Sequence, residues 1–282
     1  MSNAIVYSMY IESYDIEKSL QWQELKYSLD TLRKYNKQIN VKIYIAPYGI
    51  SKTISRNINL ENCEIIDFDV DPNPLLPNQT YAKWLDHKWK TAFKTLQDYD
   101  RVLMIDCDTF YTDDPVKLFN KYNDTSRIYS KADLWEKVLK FFDITEQVMN
   151  DGVVLLSKEH LKYKEKFLEA RDNYVLNLIK KTKNKIDHNS EIWNLGLLWT
   201  AAQFGISNYL LNIGNPIVVF DQIDVGFPDE YQKLGNNIGI VHYTSYEVHN
   251  FLPKKYWYSD ESINHHMVKF GIGRLGEVNK YE

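Results

Sequence analysis

Tyr99-Asp-Arg-Val-Leu-Met-Ile-Asp-Cys-Asp-Thr-Phe-Tyr111 is the stretch whose reading decides the fold. From Arg101 to Ile105 it is a run, apolar after its first residue, that ends in two carboxylates, Asp106 and Asp108, separated by one residue. Successive strand residues point to opposite faces, so two carboxylates that continue the strand at this spacing share one side. Two acidic groups on one side need a cation. Hard oxygen ligands suit Mg²⁺ or Mn²⁺, ions usually shared with a substrate phosphate. The expectation is a metal site for a nucleoside diphosphate at the end of a buried strand.

Upstream of this stretch, Ala4–Met9 reads as a buried strand. Ile16–Tyr35 reads as an amphipathic helix with Leu20, Leu25, Leu29 and Leu32 in register. Val41–Ala46 and Cys63–Phe68 read as further strands, residues 69–79 as a loop, and Tyr81–Gln97 as a helix leading into the opening strand. Downstream, Thr112–Phe119 is expected as a short capped helix, Ser126–Ser130 as a strand and Ala132–Phe142 as a helix. Met149–Ser157 follows as a strand, Glu159–Lys181 and Glu191–Phe204 as helices, and Pro216–Phe220 and Ile238–Tyr243 as strands. Strands alternating with helices build a mostly parallel sheet covered by helices, and ligands of such sheets bind at the carboxyl ends of the strands. With no internal repeat, linker or composition shift, residues 1–282 are expected to form a single domain.

The net charge of -4 argues against a general nucleic-acid binder, whose affinity comes from clustered Lys and Arg. An aromatic content of 14% suits stacking on flat rings and sugar faces, and an AT-rich coding sequence would produce it equally. Cys63 and Cys107 are the only cysteines, and Cys107 stands between the candidate ligands. Both are read as free thiols of a reducing compartment. The N-terminus lacks the basic segment and long apolar segment of a signal peptide, and nothing approaches the ~18 apolar residues of a membrane span. A cytoplasmic location, in the cell or in a host, is expected.

Three blocks in this order resemble the glycogenin-type retaining glycosyltransferases of family 8. They are Tyr99–Phe110 with its Asp-x-Asp, Met149-Asn-Asp-Gly-Val-Val-Leu-Leu156, and Ile240-Val-His-Tyr-Thr-Ser245. The resemblance implies the GT-A fold, an α/β (Rossmann-like) architecture with a mixed, mostly parallel central sheet flanked by helices. It implies that Asp106 and Asp108 bind a divalent metal, usually Mn²⁺ and otherwise Mg²⁺, with His242 as third ligand, and that the metal neutralises the diphosphate of a UDP-sugar. Counted back from Asp106, Lys90 falls where the family has a basic residue on the donor, with Lys88 the nearest substitute. Asn150 and Asp133 would contact the donor sugar, and Tyr10 or Tyr14 would stack on uracil.

Where the family has Asp-Gln, the chain reads Asn189-Ser-Glu-Ile-Trp-Asn194, so Glu191 is the carboxylate left to act with Asn150 beneath the anomeric carbon. The family's Gly-x-x-Lys-Pro-Trp is absent, and His249, Lys254, Lys255 and Trp257 are the nearest material for a closing segment at about 246–282. The implied activity is metal-dependent transfer of a hexose, glucose first and galactose second, to a protein or glycan hydroxyl with retention of configuration. The expected partners are the nucleotide-sugar donor, the acceptor and a second copy of the chain in a homodimer. The alternative is a non-catalytic nucleotide-sugar or glycan-binding module on a degenerate transferase scaffold. Ranked below it is a haloacid-dehalogenase-type phosphatase, which needs a threonine where Phe110 stands. Taken alone, Gly152 also fits a tight turn capped by Asn150, Lys90 a solvated helix lysine, and His265-His266 a surface pair.

Overall fold

The computed structural model describes residues 1–11, 16, 19–47, 49, 51, 60–71, 73–76, 79–132, 148–182, 198–243 and 253–256. Its strands are β1 (Asn3–Tyr10), β2 (Asn40–Ala46), β3 (Cys63–Asp67), β4 (Arg101–Ile105), β5 (Thr109–Tyr111), β6 (Tyr129–Ala132), β7 (Met149–Ser157), β8 (Val218–Val219), β9 (Val225–Gly226) and β10 (Ile240–His242). Its α-helices are α1 (Leu20–Tyr35), α2 (Gln79–Thr95), α3 (Val116–Lys121), α4 (Lys164–Thr182), α5 (Leu198–Asn212) and α6 (Pro228–Leu234). A seven-stranded sheet runs β3-β2-β1-β4-β7-β6-β8, and a three-stranded sheet runs β5-β10-β9. The long sheet is mixed and mostly parallel: β1 pairs parallel with β2, β2 with β3 and β6 with β8, while β6 and β7 are antiparallel. This is the α/β architecture that the alternation of strands and helices predicts.

The described chain divides into two compact units, Ala4–Asp69 with Ile105–Asn123 and Asp221–Glu282, and Met1–Asn3 with Val70–Met104 and Asp124–Phe220. In the first, β1 buries Ala4 to Tyr7, as a strand covered on both faces must. Helix α1 buries Trp22, Leu25, Leu29 and Leu32 completely. Its end is set by Asn36, whose side-chain oxygen accepts from the N–H groups of Gln38 and Ile39 as the chain turns toward β2. In the second, Phe167 of α4 meets Trp89 and Phe93 of α2 at centroid separations of 6.3 and 5.9 Å. Helices α4 and α5 cross at Gly205, where a Cβ would stand 2.9 Å from the Arg171 Cα.

Several boundaries differ from the sequence reading. Helix α1 starts at Leu20 rather than at residue 16, and β6 occupies Tyr129–Ala132, so the helix expected from Ala132 does not begin there. The rest of that segment, 133–142, lies outside the described residues. Lys158–Tyr163 is a 3₁₀ helix before α4, started by Ser157 and His160 capping each other's backbone N–H groups. Helix α5 runs on to Asn212 through Gly205, because at this glycine the preceding helix packs against bare backbone. Strands β5 and β9 and helix α6 were not expected; each is short, and the two strands are held by cross-strand partners rather than by any local period.

Candidate metal centre

Strand β4 is buried at every position, and the chain leaves it at Ile105. Asp106, Cys107 and Asp108 therefore form a turn rather than a continuation of the strand. The two carboxylates come together for a different reason from strand alternation. Thr109 Oγ1 donates to the Asp106 carbonyl at 2.9 Å, closing the turn, and Tyr243 N–H donates to the Asp108 carbonyl at 3.0 Å. The second bond extends the antiparallel ladder of β5 and β10, in which His242 pairs with Thr109. Residue 242 is thus brought beside the turn by backbone hydrogen bonding.

Each of Asp106, Asp108 and His242 offers a ligand atom, and these atoms all lie within 4.8 Å of one another. His242 Nε2 stands 3.3 Å from an Asp108 oxygen and 3.8 Å from an Asp106 oxygen. An octahedral cation with bonds of about 2.1 Å places neighbouring ligand atoms about 3 Å apart and opposite ones about 4.2 Å apart. The observed spacings fall in or near that range. Two carboxylates and an imidazole also make a donor set that Mn²⁺ accepts while leaving positions for phosphate oxygens.

Behind the turn, α1 carries a carboxyl that the sequence reading missed. Glu24 is 2% exposed, and its Oε1 has no hydrogen-bond partner among the described residues. Burial pushes its pKa well up, and the charges of Asp108 and then Asp106 push it further. The Tyr243 hydroxyl is likewise raised, by burial first and then by Glu24 and Asp108. A chain of hydroxyls continues along the same helix: Ser28 Oγ lies 3.1 Å from Thr109 Oγ1 and 2.8 Å from the Tyr7 hydroxyl, which is 3.0 Å from that of Tyr111. One wall beside the site is apolar, formed by Leu20, Phe110, Ile238, Val241 and Tyr243. The Phe227 ring lies 5.8 Å from that of His242. One sign of Glu24 was available in the sequence: Glu24 and Ser28 fall one turn apart on a helix otherwise patterned for burial.

The other predicted residues divide as follows. Tyr10 is the last residue of β1 and is half-buried. Lys90 lies on α2 with Nζ 2.7 Å from Asp86 and 3.2 Å from the Asp71 carbonyl. Lys88, its neighbour on the helix, is buried and pairs with Asp151 at 3.2 Å, where Gln203 Nε2 also donates at 2.8 Å. Asn150 is half-buried. Its side-chain oxygen accepts from Gly152 N–H at 3.0 Å and its carbonyl from the Ser130 hydroxyl at 2.6 Å. At this point the β6–β7 register shifts between Ser130 and Lys131, an irregularity of the kind that re-aims side chains near functional sites. Asp133, Glu191, Tyr14, His249, Trp257 and His265-His266 lie outside the described residues.

No protein-family model matches the chain, and no curated protein matches it in sequence. Solved structures do match in fold. Mouse xyloside xylosyltransferase 1 superposes with a TM-score of 0.54 at 12% identity, over 86% of this chain and 98% of that one. The galactosyltransferase LgtC, solved with donor and acceptor sugar analogues, superposes with a TM-score of 0.51 at 14% identity, over 86% and 87%. The glycosyltransferase GlyE of Streptococcus pneumoniae gives 0.50 at 12% identity, over 95% of this chain and 64% of that one. The fold is that of GT-A-type glycosyltransferases, with a cluster fit for a divalent cation where β4 ends.

Proposed function

We propose that the chain is a metal-dependent glycosyltransferase that moves a hexose from a UDP-sugar to a protein or glycan hydroxyl with retention of configuration. The observation that carries this reading is the Asp106–Asp108–His242 cluster on a fold shared with sugar transferases. Mn²⁺, or Mg²⁺ in its place, would be held by these three residues and would balance the charge of the diphosphate leaving group. The protein's own contribution is to hold the two carboxylates in a closed turn, to fix the imidazole through the β5–β10 ladder, and to keep one side dry with Phe110 and Tyr243. The donor roles of Tyr10, Lys90, Asp133 and Asn150 and the catalytic roles of Asn150 and Glu191 belong to this proposal, as do the single 1–282 domain and a cytoplasmic location. Among the described residues no helix is long and apolar enough to cross a membrane.

Glucose is the first choice of sugar and galactose the second, and the name of the mouse neighbour, a xylosyltransferase, adds xylose to the sugars worth testing. The deciding experiment incubates each UDP-sugar with the protein in Mn²⁺ or in EDTA and measures both released UDP and mass added to acceptor or protein. Release with one donor in Mn²⁺, lost in EDTA and in Asp108→Asn, is the expected outcome. Release that ignores EDTA would overturn the reading, and UDP-sugar binding without turnover would favour the binding-module alternative.

A further inference from the structure

The face of α1 turned toward the metal-binding turn is polar where a helix in this position is ordinarily apolar. Three residues at helical spacing form the stripe, and two of them have partners that show how the helix lies. The Thr31 hydroxyl accepts from the Tyr111 backbone N–H at 3.1 Å, and Ser28 Oγ lies 3.1 Å from Thr109 Oγ1. Moving from Thr31 to Ser28 along the helix therefore moves from residue 111 to residue 109 along the neighbouring chain. One further turn, about 6 Å at 1.5 Å per residue, reaches Glu24 and places it beside Asp106–Asp108. The ordering of the charges felt by Glu24, Asp108 before Asp106, agrees with that position.

A buried carboxyl oxygen with no partner among the described residues is costly in such a place. A buried polar group without its hydrogen bond destabilises a fold, so its presence calls for a partner that arrives later. Divalent cations of the Mg²⁺ and Mn²⁺ type keep several of their waters when bound. Groups that hydrogen-bond to the coordination shell from outside tune metal affinity by about 10–100-fold. We infer that Glu24 is a fourth protein group of the cation site: its buried carboxyl hydrogen-bonds a water carried by a divalent cation that Asp106, Asp108 and His242 hold. This inference rests on the cation-site reading above. Ser28 and Thr31 complete the stripe by fixing the turn and β5 against α1, so the stripe as a whole serves the cation.

The consequence is an opposition of signs that a structural role would not produce. Replacing Glu24 by Leu removes an unsatisfied polar group from the metal-free protein and removes the water's partner from the loaded one. The test measures Mn²⁺ binding by electron paramagnetic resonance of free Mn²⁺, and melting temperature by circular dichroism, for the wild type, Glu24→Leu and Glu24→Gln. Glu24→Leu is expected to weaken Mn²⁺ binding about 10–100-fold while its metal-free melting temperature stays level or rises. Glu24→Gln, which keeps the shape and a carbonyl that can accept from the water, is expected to bind Mn²⁺ more tightly than Glu24→Leu.

Equal Mn²⁺ affinity in the wild type and Glu24→Leu would overturn the inference. So would a Leu variant that melts lower or fails to fold, since Glu24 would then be a structural prop, and so would a Gln variant that loses as much affinity as Leu. A wild type that does not bind Mn²⁺ at all sinks the cation site itself, a failure visible before any variant is made.

Discussion

Lys88 offers the sharpest test of the packing around the Asn-Asp-Gly block, because the family resemblance and the structure give it different work. Its Nζ lies 3.2 Å from Asp151, with the two side chains 5% and 2% exposed. At an effective dielectric constant of about 20 the attraction at that distance is about 5 kcal/mol, and the desolvation of two ions offsets most of it. The pair as a whole therefore contributes little beyond an apolar pair, whereas losing one partner strands a buried charge at a cost of about 3–5 kcal/mol. Lys88→Met and Asp151→Asn should each lower stability by that order. The double variant, in which the new amide at position 151 still accepts from Gln203, should recover at least about 2 kcal/mol relative to the sum of the two.

Urea unfolding at neutral pH, run as a double-mutant cycle, gives the coupling directly. Additivity within about 0.5 kcal/mol would refute the ion-pair reasoning. A Lys88→Met protein of unchanged stability that no longer binds UDP would refute it from the other side, by making this lysine a donor ligand.

His160 carries a pH dependence of defined sign. Burial lowers its pKa below the usual 6.5, and its Nδ1 accepts from the Ser157 N–H at 2.9 Å, which requires the neutral ring. The unfolded state takes up the proton first as pH falls, so this group's stabilisation is complete above about pH 6.5 and is lost below it, down to the lowered folded value. Urea midpoints measured from pH 8 to 5 should show that loss, and His160→Gln should reduce it; an unchanged slope in the variant would remove His160 as the cause. Gly205→Ala should cost about 1–3 kcal/mol, since the added Cβ would meet the Arg171 Cα and Tyr174 Cβ at 2.9 Å. A thermal melt matching the wild type would show that α4 and α5 separate freely to admit it.

Strand β4 was legible because a continuous apolar run is what a strand buried on both faces demands, and α1 because its leucines repeat at helical spacing. Helix α5 was legible in kind but not in extent. Residues such as Ala202, Phe204, Ile206 and Leu210 leave no polar face to mark an end, and Gly205 reads as a stop when its purpose is the crossing with α4. Asp106 and Asp108 were legible as two carboxylates behind an apolar run, whereas His242 was legible only through an ordered resemblance, because a lone histidine at a strand end has no local sign of what lies opposite. Glu24 stayed hidden because a glutamate in a helix is ordinarily read as solvated, and only its tertiary neighbours make it costly.

The three-residue strand β5 turns these separate residues into one site. It hangs on β10 through the Ile240–Tyr111 to His242–Thr109 register, so the ladder that stabilises β5 is also the one that delivers His242. Thr109 sits at the crossing of both demands: its backbone belongs to the ladder, its hydroxyl closes the Asp106 turn, and Ser28 holds that hydroxyl from α1. The backbone that carries the carboxylates and the imidazole is thus fixed by bonds that do not depend on a cation. A site built in this way spends little free energy on reorganisation when a cation enters, so its affinity is governed by charge and by the groups that meet the cation's waters. On the proposed cation site, the oxygens of Asp106, Asp108 and Glu24, rather than motion of the turn, would determine how tightly the metal is held.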